Sequence, residues 1–179
     1  MRQEIRIAGF GGQGVISMGI LLAVAAGKYE GKEVAQTQSY GPEARGGACK
    51  TEVVLADEEI DYIKTLHPDF LVVMSQPALD KHLSGIDREH ALVIVDETLV
   101  HNVSPDIRNL IRVPATRIAE EQLGNRVVAN IVMLGVIARV ANVAGYDSCR
   151  RALIDTMPAR TLEKNLQALD TGYRYIGLE

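Results

Sequence analysis

The sequence predicts an α/β fold, in which a single domain over residues 1–179 builds three α/β/α layers around a mostly parallel (mixed), Rossmann-like sheet. Three observations predict it. Short apolar strand patterns alternate with longer helical patterns along the chain. A glycine loop joins the first strand pattern to the first helix pattern. The chain of 179 residues is long enough to bury the core that one such domain needs.

The first predicted unit is a strand, a glycine loop and a helix. Residues 5–8 carry the strand pattern Ile-Arg-Ile-Ala, and residues 15–28 follow the loop as a helix that is apolar nearly all round. Such a helix is expected to be buried on two sides. Gly31 is a signal for its C-terminal end, and a second strand is predicted over residues 34–38.

The remaining elements alternate in the same way. Residues 48–56 alternate between apolar and polar side chains, which predicts a half-buried strand that is antiparallel or near an edge. Residues 70–74 and 91–95 are continuous apolar runs, as in central strands buried on both faces. The other predicted elements are a helix opened by Ser75-Gln76-Pro77, a short strand over residues 110–113, an apolar helix over residues 127–144 and an amphipathic helix over residues 158–169.

Composition excludes several classes of function. The net charge of −4 gives no general attraction for nucleic acid. Cys49 and Cys149 are far apart and belong to no CxxC pair, so the chain by itself is not expected to supply an iron–sulfur or zinc site. The longest apolar run, residues 131–138, is too short to span a bilayer, and the first residues do not resemble a signal peptide. A cytoplasmic protein is expected.

The glycine loop allows three interpretations. Gly9, Gly11 and Gly14 satisfy the G-x-G-x-x-G pattern of dinucleotide sites, which would make the chain a stand-alone dinucleotide-binding oxidoreductase. That pattern also requires an acidic residue at the end of the second strand, where this sequence has amides and a hydroxyl. Alternatively, the glycines serve only tight packing of helix on sheet. The third interpretation is contact with an anionic or polar ligand group, through backbone N–H groups near Gly12 and the amide of Gln13.

A second loop, residues 39–47, follows the second predicted strand, so it is expected at the same carboxyl-end rim as the glycine loop. Its sequence is Ser-Tyr-Gly-Pro-Glu-Ala-Arg-Gly-Gly. Arg45 could clamp a carboxylate or phosphate, or it could form an ion pair with Glu43 or across an interface. No catalytic set or metal-ligand spacing is found in the sequence. Asp96-Glu97 could bind a metal, but a solvated loop is the simpler interpretation there.

Three segments together resemble a known family. They are RIAGFGGQGV, GKEVAQTQSYGPEARGGACKTEVVLADEEIDY and HPDFLVVMSQPALDKH. The chain is similar in these segments to the gamma subunits of 2-oxoacid:ferredoxin oxidoreductases, and it looks closest to their 2-oxoglutarate branch. The likeness is detailed through roughly the first half of the chain. The paired loops make it far more specific than a lone glycine pattern.

The resemblance implies a subunit that is not active by itself and binds no cofactor alone. In this family alpha and beta subunits bind thiamine diphosphate and Mg²⁺, and a ferredoxin-like delta subunit or domain carries [4Fe–4S] clusters. The complex decarboxylates a 2-oxoacid such as 2-oxoglutarate or pyruvate, passes two electrons to ferredoxin and transfers the acyl group to coenzyme A. No catalytic or metal-binding residue is expected in this chain. A purely structural scaffold subunit remains an alternative. The residues expected to bind cofactor or line the cleft are Gly11, Gly12, Gln13, Gly14, Tyr40, Gly41, Arg45, Gly46 and Gly47.

Overall fold

The computed structural model describes residues 1–40 and 48–175, with the backbone alone at Tyr40 and Ala48. Its centre is a six-stranded sheet in the order β2-β3-β1-β4-β5-β6. The strands are β1 (Arg2–Phe10), β2 (Glu33–Tyr40), β3 (Ala48–Ala56), β4 (Phe70–Val73), β5 (Leu92–Asp96) and β6 (Asn109–Val113). Each strand agrees with a strand predicted from the sequence to within a few residues at its ends.

The sheet is mostly parallel, as predicted. Strands β1, β4, β5 and β6 pair in parallel, whereas β3 runs antiparallel to both of its neighbours, β1 and β2. The antiparallel member is therefore the alternating segment identified from its sequence pattern. Cys49 of β3 lies opposite Gly9 on one side and opposite Tyr40 on the other. The carboxyl ends of β1 and β2 consequently lie at the same edge of the sheet, with β3 between them.

Helices cover the two faces of the sheet unequally. The helices are α1 (Val15–Val24), α2 (Gln76–His82), α3 (Ala115–Glu121), α4 (Ala129–Val140), α5 (Tyr146–Thr156) and α6 (Ala159–Tyr173). The larger core joins one face of the sheet to α1 and α3–α6, while the smaller core lies under α2 and the segment before β6. Helix α1 continues as a π-helical turn, Ala25–Tyr29, so its predicted extent is confirmed.

The apolar helix predicted over residues 127–144 is shorter than expected. A 3₁₀ turn over Arg126–Val128 precedes α4, and the chain leaves the helix before Asn142, whose φ of 47° is left-handed. Helix α6 covers α4, so the C-terminal part of the chain supplies the cover that its apolar surface requires. The helices cross so closely that a Cβ on Gly172 would overlap the backbone of Val132. Helices α3 and α5 had no counterpart among the predicted elements.

Beside β3, the second face of the sheet carries charged side chains. Arg6 Nε donates to Glu52 Oε1 at 2.7 Å, and Lys50 Nζ lies 3.0 Å from the same oxygen. Burial acts to raise the pKa of Glu52, but the two cations outweigh it and hold that pKa below its usual value. Burial, together with the charges of Arg6 and Lys50, lowers the pKa of His82 to about 4. This face is therefore a charged layer in which His82 is neutral near pH 7.

No helix among the described residues is long and apolar enough to cross a membrane. Cys49 and Cys149 are buried and form no disulfide. Burial raises the pKa of the Cys149 thiol to about 12, which makes it unreactive in the folded chain.

Candidate functional site

The glycine loop turns the chain sharply between β1 and α1. The N–H of Gln13 donates to the carbonyl of Phe10 at 3.2 Å, closing the turn. Gly12 has φ of 94° and Gly14 has φ of 72°, values that favour glycine over any residue with a Cβ. Gly14 is also the N-cap of α1, and no side chain caps this end of the helix. The first backbone N–H groups of α1 are thus left without a side-chain acceptor, as in anion-binding helix termini.

Gln13 bridges the two central strands. Its Oε1 accepts from the N–H of Phe10 at 2.6 Å, and its Nε2 donates to the carbonyl of Met74 at 2.8 Å. The chain leaves β1 for one face of the sheet and leaves β4 for the other, so the carboxyl ends of these strands form the topological switch point. Dinucleotides commonly bind in such a crevice. Here the Gln13 side chain spans it, and both polar ends of its amide are engaged within the chain.

Asn130 of α4 holds the glycine loop from the other side. Its Nδ2 donates to the carbonyl of Gly14 at 3.1 Å, and the residue is buried. A Cβ on Gly14 would overlap this side chain, so the contact requires a glycine. Two side-chain amides, from Gln13 and Asn130, therefore fix the loop between the sheet and α4.

The largest feature beside the loop is a cavity of about 500 Å³ between the start of α1 and the start of α6. Arg160 and Lys164, four residues apart on α6, form its basic wall. Neither forms an ion pair or side-chain hydrogen bond with any described residue. None of the described residues that line the cavity carries a carboxylate. The lining residues are Gly12, Gly14, Ser17, Asn125, Val127, Val128, Asn130, Ile131, Met157, Arg160, Thr161, Lys164 and Asn165.

A smaller cavity of about 140 Å³ shares Gly12 and Val127 with the first and lies toward β4 and α3. Val127 stands between the two with 74% of its surface exposed, although it is a large apolar residue. The nearby Asp96 is fully buried, and its Oδ2 accepts from the backbone N–H of Thr116 at 3.1 Å. The expectation of a solvated loop is therefore wrong for Asp96, because this carboxylate fixes the start of α3. Among the described residues, no three His, Cys, Asp or Glu side chains cluster as metal ligands would.

The predicted site residues divide into two groups. Gly11, Gly12, Gln13 and Gly14 lie in the described loop at the end of β1, and the backbone of Tyr40 reaches the same edge of the sheet. The shared carboxyl-end rim predicted for the two loops is confirmed up to Tyr40. The remaining predicted residues, Gly41, Arg45, Gly46 and Gly47, lie outside the described residues.

Sequence reasoning did not single out Arg160, Lys164 and Asn130. Arg160 and Lys164 were part of the predicted amphipathic helix, and their spacing of four residues placed both cations on one face. That spacing was a usable signal, but it is also ordinary on solvated helices. Only the packing of α6 beside the glycine loop shows that these two cations line a cavity and are not simply part of a solvated helix face.

Comparison with known proteins is informative over nearly the whole chain. The family model described as pyruvate ferredoxin/flavodoxin oxidoreductase matches residues 4–175. This chain belongs to that family. Over 97% of its length it is 50% identical to the 2-oxoglutarate synthase subunit KorC of Methanocaldococcus jannaschii, covering 93% of that protein. The chain is a gamma-type subunit of a 2-oxoacid:ferredoxin oxidoreductase, as its sequence motifs predicted.

Solved structures of the family share the fold. The gamma subunit of a keto/oxoacid ferredoxin oxidoreductase from Geobacter sulfurreducens PCA matches with a TM-score of 0.85 and 35% identity, covering 96% of each chain. The 2-oxoglutarate:ferredoxin oxidoreductase of Magnetococcus marinus matches with a TM-score of 0.84 and 23% identity, which shows the fold alone. The match covers 96% of this chain but 30% of that one. The same fold is therefore also found within a much longer chain.

Family membership and the geometry weaken the dinucleotide interpretation. In this sheet β3 lies between β1 and β2, so the end of β2 is two strand spacings, roughly 10 Å, from the end of β1. An acidic residue at the end of β2 would be poorly placed to bind a ribose at the glycine loop. Gln13 also crosses the crevice that such a ligand would use.

Proposed function

We propose that this chain is the gamma subunit of a cytoplasmic 2-oxoglutarate:ferredoxin oxidoreductase, that residues 1–179 act as one domain, and that it binds the phosphate-bearing end of coenzyme A. The observation that carries the ligand proposal is the cavity between the glycine loop and α6. It joins an uncapped helix N-terminus to two cations that have no ion-pair partner among the described residues, and its described lining carries no carboxylate.

Positive charge in this cavity favours the binding of a phosphate group. A helix N-terminus carries a partial positive charge, and its free N–H groups favour phosphate oxygens. Arg160 and Lys164 add two full charges on the facing wall. Lys164 is half-buried and Arg160 is exposed, so a ligand entering from solvent would reach both. A cavity of about 500 Å³ is in the range that small-molecule ligands fill.

The substrate assignment rests on the relatives. The KorC protein that is 50% identical is a subunit of 2-oxoglutarate synthase. The Magnetococcus marinus enzyme of the same fold was solved with 2-oxoglutarate, coenzyme A and succinyl-CoA bound. These two observations favour 2-oxoglutarate as the oxoacid and coenzyme A as the acyl acceptor. The cytoplasmic location is supported by two buried, unpaired cysteines, which suit a reducing compartment.

In this proposal the redox chemistry belongs to other chains. Alpha and beta subunits would hold thiamine diphosphate and Mg²⁺, a ferredoxin-like delta subunit would hold [4Fe–4S] clusters, and ferredoxin would accept the two electrons. Residues of this chain would hold one end of coenzyme A, so that its thiol reaches the cleft that the other subunits complete. Gln13 and Asn130 would contribute indirectly, because they fix the loop that offers the N–H groups.

We propose that residues 41–47, which connect β2 to β3 in the sequence, also contribute to this site. Tyr40 ends β2 at the edge where the glycine loop begins, and Gly41, Arg45, Gly46 and Gly47 follow it in the sequence, which supports this proposal. We propose that Arg45 binds a phosphate or carboxylate there. An Arg45→Ala variant belongs in the titration described next.

Calorimetric titration of the isolated chain tests the ligand proposal. Changing Arg160 and Lys164 together to Ala should weaken coenzyme A binding by about 10- to 100-fold, because each cation contributes a charge-assisted contact. Pantetheine, which lacks the phosphates, should bind the wild type and the variant equally weakly. Lys81→Ala is the matched control, since Lys81 is exposed on α2, on the opposite face of the sheet.

Two results would redirect the proposal. If coenzyme A binds the double variant as tightly as the wild type, the cavity is not its site. If the wild type binds no coenzyme A yet restores activity to the alpha and beta chains, the chain is better described as a scaffold subunit.

A further inference from the structure

The segment over residues 57–69 joins β3 to β4 and contains no helix or strand. Connections of this length without secondary structure are uncommon in compact domains, and they often have a function. The segment lies at the amino ends of the parallel strands, at the edge of the sheet opposite the glycine loop. It plays no part in the ligand site described above.

Charged side chains of β1 hold the backbone of this segment. Arg2 Nη2 donates to the carbonyl of Tyr62 at 2.9 Å, and Arg6 Nη2 donates to the carbonyl of Thr65 at 3.1 Å. Between them, Glu4 Oε2 accepts from the N–H groups of Leu66 and His67 at 2.8 and 3.1 Å. Arg2, Glu4 and Arg6 alternate along β1 and therefore project from one face of the sheet. The segment is fixed by polar contacts on its inner side.

Its apolar side chains point outward instead of into the core. Tyr62 is 47% exposed, Ile63 is 52% exposed and Leu66 is 57% exposed, and the neighbouring Met1 is 68% exposed. A cavity of about 500 Å³ lies here, lined in part by Met1, Tyr62 and Leu66. Half of the large apolar side chains that are exposed in the described chain are thus gathered in this one place.

Carboxylates surround these apolar side chains. Glu58, Glu59 and Asp61 line the same cavity, and none of them forms an ion pair with another described residue. Of the cations nearby, the N-terminal amine is paired with Asp57 and Arg2 with Glu4, while the exposed Lys64 of the same segment forms no ion pair with a described residue. The apolar residues and these three carboxylates together are called the amino-edge surface. It combines exposed apolar area with a net negative charge, since three carboxylates stand against the single unpaired cation Lys64.

We propose that the amino-edge surface docks a partner subunit of the oxidoreductase through an apolar segment flanked by Lys or Arg. A segment held rigidly with apolar groups outward is preorganised, so docking loses little conformational entropy. The three carboxylates select a basic partner by charge complementarity. That the partner belongs to the same complex rests on the proposed function.

A second copy of this chain fits the surface less well. Symmetric pairing would bring the same carboxylates of two copies together, and like charges in an interface are costly. In the Magnetococcus marinus enzyme the match covers 30% of a longer chain, so there the fold is joined covalently to further parts of the enzyme, which supports a partner from the complex. Since the amino-edge surface and the glycine loop lie at opposite edges of the sheet, the chain can bind a partner subunit and a ligand at the same time.

Reconstitution of the complex from purified alpha, beta and delta chains with variants of this chain tests the proposal. Changing Tyr62 and Leu66 together to Ser should weaken assembly, measured by sedimentation, by at least about tenfold, as loss of a central apolar contact does. Changing Glu58, Glu59 and Asp61 to Lys should also weaken it. Added salt should weaken assembly of the wild type but strengthen assembly of this charge-reversed variant, because it screens an attraction in the first and a repulsion in the second.

Two control variants make the same kinds of substitution away from the amino-edge surface. Ile154→Ser removes an apolar side chain that is 42% exposed on α5, and Glu121→Lys reverses an exposed charge on α3. Both should assemble like the wild type. The melting temperature of each isolated variant shows that it is folded, and its affinity for coenzyme A should be unchanged.

The outcomes separate the two proposals. Assembly of both amino-edge variants with wild-type affinity would overturn the docking proposal and leave the proposed function intact. Failure of the wild type to assemble with these chains at all would instead count against the proposed function. Equal loss of assembly in the controls, or self-association of the wild type that the variants abolish, would also overturn docking of a basic partner.

Discussion

The two edges of the sheet use polar groups in opposite ways. At the carboxyl edge, the N-terminal N–H groups of α1 have no side-chain cap, and Arg160 and Lys164 have no partner among the described residues. At the amino edge, Arg2, Glu4 and Arg6 bind the backbone of the neighbouring segment, and apolar side chains are left outside. One edge leaves charge unsatisfied and the other leaves apolar area exposed.

This difference indicates what each edge is suited to bind. A small anion is recognised by a few convergent N–H groups and cations, which the carboxyl edge provides. A protein is recognised by apolar area with a charged rim, which the amino edge provides. The same β1 strand serves both, since its N-terminal half carries the charges and its C-terminal end becomes the glycine loop. The following changes separate the two edges experimentally.

Removing the Glu4 carboxylate should have the largest effect on stability. Glu4→Ala leaves the N–H groups of Leu66 and His67 without their acceptor and Arg2 without its ion-pair partner, in a place where Glu4 is 9% exposed. We expect the free energy of unfolding to fall by about 3 kcal/mol, measured by urea denaturation. Glu58→Ala, in the exposed part of the same edge, should change it by less than about 0.5 kcal/mol.

The coenzyme A affinity of the folded Glu4→Ala chain should equal that of the wild type. A large loss of affinity would show that the two edges are coupled and would contradict their separation. A loss of stability no greater than that of Glu58→Ala would show that the segment over residues 57–69 is not held by Glu4.

An alanine at Gly14 should have the next largest effect, on stability and on ligand binding. The left-handed φ of 72° costs about 1–2 kcal/mol for any residue with a Cβ, and overlap with Asn130 adds about 1 kcal/mol more. Gly124→Ala is the matched control, because Gly124 also has positive φ, 64°, but has no atom near its missing Cβ. Each substitution changes the free energy of unfolding, and the difference between the two changes separates the overlap with Asn130 from the cost of the left-handed φ. Equal values, with equal coenzyme A affinity, would mean that Asn130 does not hold the loop.

The smallest expected effect concerns pH and His82. The folded chain lowers the pKa of His82 from 6.5 to about 4, so between these values the unfolded chain binds a proton that the folded chain does not. Stability should therefore fall as pH falls from 6.5 to 4, by about 1 kcal/mol after solvent screening at this half-buried position. His82→Gln should remove this part of the slope. The variant should still lose stability at lower pH as Glu52, whose pKa is also lowered, becomes protonated. If the free energy of unfolding of His82→Gln depends on pH between 6.5 and 4 as that of the wild type does, His82 is not the group responsible.

Much of the fold could be predicted from the sequence because periodicity reports burial. The alternation of residues 48–56 identified the antiparallel β3, and the runs near Val72 and Ile94 identified the central strands. Helices α3 and α5 were not predicted, because α3 spans only seven residues and α5 buries only Cys149, Ala152 and Leu153 of its eleven residues. The end of α4 was placed too late, because the prediction did not use Asn142, a residue type that can end a helix by taking the left-handed conformation.

The site was predictable only in part. The glycine loop carries a local pattern, so its position at the edge of the sheet followed from the sequence. The role of Gln13 was less accessible, because an amide beside a helix terminus can bind a ligand or a strand, and the carbonyl of Met74 lies 61 residues away along the chain. Arg160 and Lys164 come from the far end of the sequence. Their approach to Gly14 depends on the packing of α6 against α4, which no local pattern encodes.

The close crossing of α4 and α6 has a mechanical consequence for the ligand cavity. Gly172 meets Val132 near one end of α6, and Lys164 lies eight residues earlier on the same helix. A helix is stiff over that distance, roughly 12 Å, so a displacement of α6 at the Gly172 contact also displaces Lys164. A side chain introduced at Gly172 would push the helix away from α4 and rotate the basic wall out of position. Sensitivity of the ligand site to substitution should therefore extend to a residue that no ligand touches.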